Sequence, residues 1–147
     1  MLKIICVGNL KEKFYKEAEK EYLKRLSKYT KLDIIEVSEE KENKELESNK
    51  IIERLDQKEY LILLDREGKE YDSVELSNKI DKLFLYGKSN ITFIIGGSTG
   101  VSDKLKEICN EKISFSKLTF PHQLFRVILL EQIYRSFKII NKETYHK

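Results

Sequence analysis

Tryptophan is absent from this chain of 147 residues, proline and methionine occur once each, and cysteine and histidine occur twice each. Each scarcity excludes something. Cys6, Cys109, His122 and His146 are too few and too scattered for a zinc site or a disulfide framework. No metal is expected, and a reduced, cytoplasmic setting is the default for this cysteine usage. No apolar run approaches the ~18 residues of a membrane span, so no membrane partner is expected. The stretch Ile4-Ile5-Cys6-Val7 is likewise too short for a secretory signal. With one proline and six glycines there is no linker and no low-complexity tract, and no segment repeats. What is present, 40% hydrophobic and 36% charged residues, suits a single domain over 1–147 with a real core.

The net charge of +3 is unevenly spread. Residues 1–111 hold 21 Lys/Arg against 23 Asp/Glu, whereas residues 112–147 hold seven against two. A polyanion would be met near the C-terminal segment, although a solvated basic face explains the charge equally well.

Leu2–Val7 reads as a buried strand closed by Gly8-Asn9. Tyr15, Ala18, Tyr22, Leu26 and Tyr29 recur at helical spacing, and their stripe reads as core packing rather than a base-stacking surface. Leu32–Val37 forms a second strand. The charged run from Ser38 to Lys50 reads as a mobile loop leading into a helix that packs through Ile51, Ile52 and Leu55. Tyr60–Leu64 has the unbroken apolar character of a strand inside a parallel sheet, with Asp65-Arg66-Glu67-Gly68 as its turn. Ser73 is the candidate N-cap of a helix ending near Tyr86-Gly87. Ile91–Ile95 is another buried strand that runs into Gly96-Gly97-Ser98-Thr99-Gly100, and Ser102 caps a short helix beyond it. Strands alternating with helices predict one α/β domain with a mostly parallel sheet.

After Pro121 the apolar residues run from Leu124 to Ile140, interrupted by Arg126, Glu131 and Arg135. A helix apolar on nearly every side should bury against the core or a partner chain, and charges inside it must be paired or used. Glu131 and Arg135 stand at i, i+4, so an intrahelical ion pair suffices to explain them. His122 fits a helix-end role as readily as a catalytic one.

Ligands of open α/β sheets collect at the carboxyl ends of the strands, where Leu63-Leu64-Asp65, Gly96–Gly100 and Phe115–Phe120 should meet. Glycines at 96, 97 and 100 admit close approach of a ligand to the backbone, though a tight turn explains them too. They match neither a dinucleotide fingerprint nor a P-loop, which disfavours a nucleotide-dependent oxidoreductase. No nucleophile elbow or triad is present. Composition and spacing reach a ligand-accepting α/β domain and stop short of a reaction.

Five ordered motifs go further. Leu64-Asp65-Arg66-Glu67-Gly68-Lys69, Phe93-Ile94-Ile95-Gly96-Gly97-Ser98-Thr99-Gly100 and Leu118-Thr119-Phe120-Pro121-His122-Gln123-Leu124 resemble consecutive motifs of one family. So do Leu130-Glu131-Gln132-Ile133-Tyr134-Arg135 and the terminal Tyr145-His146-Lys147. The family is RlmH, the small SPOUT-class methyltransferase of large-subunit ribosomal RNA, and the resemblance covers the whole chain.

It implies a homodimer with a C-terminal trefoil knot, S-adenosylmethionine as methyl donor, and N3 of a pseudouridine as acceptor. The acceptor would lie in the subunit-bridging hairpin of 23S rRNA, so the ribosome is the expected partner. Cofactor contacts would fall on Leu64, Gly96, Phe115, Ser116, Lys117, Leu118, Thr119 and Phe120. Residues near the acceptor would be His122, Glu131, Arg135, Tyr145 and His146, with Arg135 and Lys147 available for phosphate or the developing anion. Asn141 and Thr144 stand where the family often has Gly and Pro, which predicts a tail less ordered before substrate binds. The alternative is a cofactor-binding RNA or ribosome-assembly module without catalysis, against which Glu131, Arg135, Tyr145 and His146 count.

Overall fold

The computed structural model describes residues 1–41 and 43–146. Ten elements follow one another: β1 (Leu2–Val7), α1 (Lys13–Leu26), β2 (Leu32–Val37), α2 (Lys44–Ile52), β3 (Tyr60–Glu70), α3 (Ser73–Leu85), β4 (Ile91–Ile95), α4 (Asp103–Ile108), β5 (Glu111–Ser114) and α5 (His122–Ile140). The strands make a single sheet in the order β2-β1-β4-β3-β5, parallel throughout.

Side chains of a strand alternate between its faces, and both faces are apolar here. Leu2, Ile4 and Cys6 of β1, with Ile91, Phe93 and Ile95 of β4, meet α1, α3 and α5 on one side. Ile5, Val7 and Ile94 point the other way, to Ile51 of α2 and Leu105 of α4. Both layers are needed to bury the uninterrupted run of β4, every residue of which is buried.

The structure departs from the sequence reading in five places. Strand β5 was not expected, because Glu111-Lys112-Ile113-Ser114 carries two charges in four residues; the backbone pairing with β3 decides its state. Strand β3 does not end at Leu64 but continues to Glu70 through a register shift, with Leu64 and Lys69 both opposite Ile113. Gly68 permits this, since a Cβ there would lie 2.6 Å from the main-chain carbon of Lys112.

The charged run becomes helix earlier than expected. Asn43 accepts from the Leu46 amide and starts α2, which buries Glu47, Ser48 and Ile51. Helix α3 is capped by Asp72 rather than Ser73: the Asp72 carboxylate accepts from the Glu75 amide while Glu75 accepts from the Asp72 amide.

Helix α5 is not apolar all round. Leu129, Leu130, Ile133, Tyr134 and Phe137 form a stripe buried by the chain's own core, while Leu124, Val127 and Ile128 stay half-buried. Arg126 is the buried charge, 3% exposed. It pairs with Glu19 of α1 at 3.2 Å and Glu36 of β2 at 2.7 Å, and donates to the Gly8 carbonyl. Gln123 adds a second tie by accepting from the Lys11 and Glu12 amides. The first turns of α5 are thus fixed against the carboxyl ends of β1 and β2.

Candidate active site

A cleft of about 510 Å³ opens at the carboxyl end of β4, beside the register shift of β3, within the size range of small-molecule sites. Leu63 and Leu64 end one wall, Ile95 to Val101 form a second, and Phe115, Ser116, Leu118, Thr119 and Phe120 form a third. His122 and Phe125 close it from α5. The residues expected to contact a cofactor converge here, with one exception. Lys117 turns away, and its ammonium donates to the Arg66 carbonyl at 3.1 Å.

The walls owe their shape to local bonds. Ser116 Oγ accepts from the Leu118 amide, and Arg66 Nη1 donates to Thr119 Oγ1 at 3.1 Å. Phe125 stacks on Phe120 with centroids 6.0 Å apart and tilts against Phe115 at 5.4 Å. In the glycine loop the Gly100 amide donates back to the Gly97 carbonyl at 3.0 Å, and Gly100 has φ +86, a left-handed conformation suited to glycine. A Cβ at Gly96 would lie 2.5 Å from Val101 Cγ1, so the loop's own packing already accounts for this glycine.

The other expected residues form a second group at the far end of α5. Arg135 Nη2 and Nε donate to Glu131 Oε1 and Oε2 at 2.8 and 3.3 Å. Tyr145 OH donates to Oε1 at 3.0 Å, and Gln132 Nε2 donates to Oε2 at 3.1 Å. The Arg135 guanidinium stacks 4.8 Å from the Tyr145 ring centroid. Its Nη1 lies 3.1 Å from His146 Nδ1; a guanidinium only donates, so Nδ1 is the acceptor and the ring proton sits on Nε2.

Burial pushes the Tyr145 hydroxyl above its ordinary pKa, and the hydrogen bond to Glu131 adds to it. The phenol therefore keeps its proton at neutral pH. Glu131 likewise secures the charge of Arg135, chiefly through their hydrogen bond. Despite Asn141 and Thr144, the tail is tied down. The Tyr29 hydroxyl donates to Glu143 at 2.7 Å, the Lys138 ammonium reaches the same carboxylate at 3.1 Å, and Lys142 takes the left-handed turn at φ 55. Lys147 lies outside the described residues.

Sequence reasoning placed His122 with this second group, but the structure places it at the cleft. Nine residues separate it from Glu131 and thirteen from Arg135, about 14 and 20 Å along a helix. Leu124, Ile128, Glu131 and Arg135 share one face of α5 by their i+3 and i+4 spacing. Asp65 lines the cleft, as its place in the Leu63-Leu64-Asp65 segment leads one to expect, and Arg66, Lys44, Lys106 and Phe125 line it without having been foreseen. Arg66 lies within the first motif and Phe125 directly follows the third, whereas nothing in the charged run distinguishes Lys44.

A parallel sheet covered on both faces, with a glycine-lined cleft at its carboxyl edge and a long helix leading out, is a fold of SPOUT methyltransferase type. A family model described as "Predicted SPOUT methyltransferase" matches residues 1–146. A Methanococcus vannielii protein, named only provisionally as a ribosomal RNA large subunit methyltransferase H, is 55% identical over 98% of each chain. Proteins named ribosomal RNA large subunit methyltransferase H from Clostridium tetani and Bacillus pumilus are 50% and 46% identical, over 98% and 99% of both chains respectively. The chain belongs to this family, RlmH, within the SPOUT methyltransferases.

Proposed function

We propose that the protein is a homodimeric, cytoplasmic rRNA methyltransferase that uses S-adenosylmethionine to methylate N3 of a pseudouridine in the subunit-bridging hairpin of 23S rRNA. The names of its relatives support the RNA class, and the five motifs support the donor and acceptor. The observation that carries the reading is the division of α5 between a cleft at one end and a polar cluster at the other.

The cleft fits the donor. Its volume suits a nucleoside-sized ligand, its third wall is apolar and aromatic, and its glycine loop leaves main-chain groups accessible to a base or an amino-acid moiety. Leu64, Gly96, Phe115, Ser116, Leu118, Thr119 and Phe120 would hold it. When bound, it supplies an electrophilic methyl on a sulfonium. The chain's own task is alignment and exclusion of water.

The acceptor imide must shed its N3 proton, and Arg135 is the cation placed to stabilise the resulting anion. Glu131 is occupied by donors from Arg135, Tyr145 and Gln132, so it orients rather than abstracts. His146 is exposed and held through one bond; turning Arg135 toward the acceptor releases Nδ1 to take the proton. Within one chain this cluster is too far along α5 to serve the cleft. An antiparallel pairing of two copies of α5 through Leu124, Val127 and Ile128 brings the cluster of one subunit to the cleft of the other. The trefoil knot belongs to the same reading, with the Lys117 and Thr119 contacts to Arg66 holding the segment that would thread.

With a net charge of only +3, nonspecific RNA affinity is small, so assembled ribosomes are the expected substrate. Purified protein supplied with labelled S-adenosylmethionine should label 23S rRNA in ribosomes from a strain lacking it, at a pseudouridine N3. Labelling at another atom, or none, would overturn the acceptor, and equal labelling of the isolated hairpin would overturn the ribosome requirement.

A further inference from the structure

Behind the glycine loop stands a carboxylate that the proposed mechanism does not use. Glu47 lies in the first turns of α2 and is 3% exposed. Its Oε2 accepts from the Glu40 amide at 3.0 Å, while its buried Oε1 has no hydrogen-bond partner among the described residues. None of the ion pairs among those residues includes Glu47 either. A buried carboxyl oxygen without a partner is costly, so its position asks for a use.

Its position suggests one. A Cβ on Gly97 would sit 2.5 Å from Glu47 Oε1 and 3.2 Å from the carboxylate carbon, so the carboxylate fills the space where a side chain at 97 would be. Gly97 itself lines the cleft, as does Lys44 one helical turn before Glu47. Ser48 Oγ accepts from the Ser102 amide at 2.8 Å and holds α2 against the far side of the same loop. One glycine therefore separates the Glu47 carboxyl group from the ligand space, and a glycine offers the thinnest wall a chain can build.

We infer that Glu47 is a specificity residue of the cleft, whose carboxylate favours a cationic ligand over a neutral one of the same shape. The inference rests on the reading of the cleft as the donor site. There it has a direct consequence: the methyl donor carries a sulfonium cation, whereas the demethylated product is a neutral thioether. A fixed anion behind the wall retains the first and releases the second. Burial strengthens the effect, because a charge screened by little water acts over a longer range. Lys44 and Lys106 also border the cleft, but as solvated ammonium groups on flexible stems they oppose the effect only weakly.

Calorimetry with S-adenosylmethionine and S-adenosylhomocysteine on the purified full chain tests this. Glu47→Gln keeps the shape and the Oε2-side acceptor while removing the charge. It should weaken binding of the sulfonium by about tenfold and leave the thioether within about twofold, so that their affinity ratio changes. Glu47→Asp, which keeps the charge, should keep most of the ratio. Ser48→Ala, which removes only the tether to Ser102, should weaken both ligands in proportion. Equal losses for both ligands in Glu47→Gln would make Glu47 a purely structural anchor and overturn the inference, as would no change in either. Should Glu47→Gln fail to fold, the wild-type protein carries the test: the ammonium-bearing analogue sinefungin must bind more tightly than the thioether, and equal affinity overturns the inference. Failure of the wild type to bind any of these ligands would instead remove the donor reading of the cleft.

Discussion

At the His122 end of α5 the walls of the site come from several segments: a glycine loop, a turn pinned by Ser116, and aromatic rings stacked on Phe125. At the Glu131–Arg135 end the site is almost all side chain, one carboxylate gathering an arginine, a tyrosine and a glutamine. The first end is shaped by the sheet, because its walls are the register-shifted middle of β3 and the loops that leave the carboxyl ends of β4 and β5. The second is shaped by one helical turn and the tail that follows α5. A site assembled from several loops of the sheet is distorted whenever the fold gives way, whereas a site built on one helical turn loses function with the fold intact. The two ends should therefore fail differently.

The largest difference is expected from removing residues 144–147. Terminal residues add little to a core, so the shortened chain should keep its secondary structure and its affinity for S-adenosylmethionine. Its turnover should fall by ~100-fold or more, read with methyl transfer to ribosomes. His146→Ala alone should lower kcat rather than raise KM if the imidazole acts in the transition state. Arg135→Ala should cost about 100-fold in kcat through loss of anion stabilisation, with donor affinity unchanged by calorimetry. A parallel loss of donor affinity would join the two ends into one binding unit and break the comparison.

Damage at the other end should appear as lost stability. Gly68→Ala forces a Cβ against the β5 backbone, and chemical denaturation should register about 2–3 kcal/mol. Arg126→Ala leaves Glu19 and Glu36 without their cation; because Glu36 remains 40% exposed, the expected cost is about 2 kcal/mol. In both variants donor binding should weaken along with stability, since each holds an element that forms the cleft. Full stability in Arg126→Ala would detach that cluster from the fold of the site.

The sequence made the two ends unequally legible. β1, β4 and the first part of β3 show as apolar runs because parallel strands are covered on both faces. The motif residues Gly96 and Phe115 to Phe120 fall just past the ends of β4 and β5, and Leu64 at the register shift within β3. Strand β5 was hidden because Glu111 and Lys112 fit no apolar pattern, and only pairing with β3 defines them. Glu47 was hidden for a related reason: in a run where nearly every residue is charged, local pattern cannot single out the carboxylate that tertiary packing buries. The grouping of His122 with Glu131 and Arg135 came from family order. Helical rise alone, about 1.5 Å per residue, separates them within one chain.

The smallest effect lies in pH, away from both ends. Burial alone would raise the Glu111 carboxyl, but hydrogen bonds from Tyr60, Lys79 and Tyr71 outweigh it and hold it below the usual range. A lowered folded pKa contributes stability that is present above the ordinary value and lost as pH falls through the folded one. Acid titration of the melting temperature should show this loss below about pH 4.3, and Tyr60→Phe should reduce it. On the alkaline side, burial and the Glu111 hydrogen bond push the Tyr71 phenol up to about 12. Stability from that group should be complete below about pH 10 and decline as the pH climbs toward its folded value.

Mixing two inactive variants tests most directly whether the cleft of one subunit works with the cluster of its partner. Ser116→Trp, checked first for lost donor binding, fills the cleft and spares the cluster; Arg135→Ala spares the cleft. After the two are denatured and refolded together, half the dimers hold both chains, and each mixed dimer has one intact pairing across the interface. The account predicts recovery of about a quarter of wild-type methyl transfer to ribosomes. Mixed dimers isolated by two different tags that stay as inactive as either parent would contradict it.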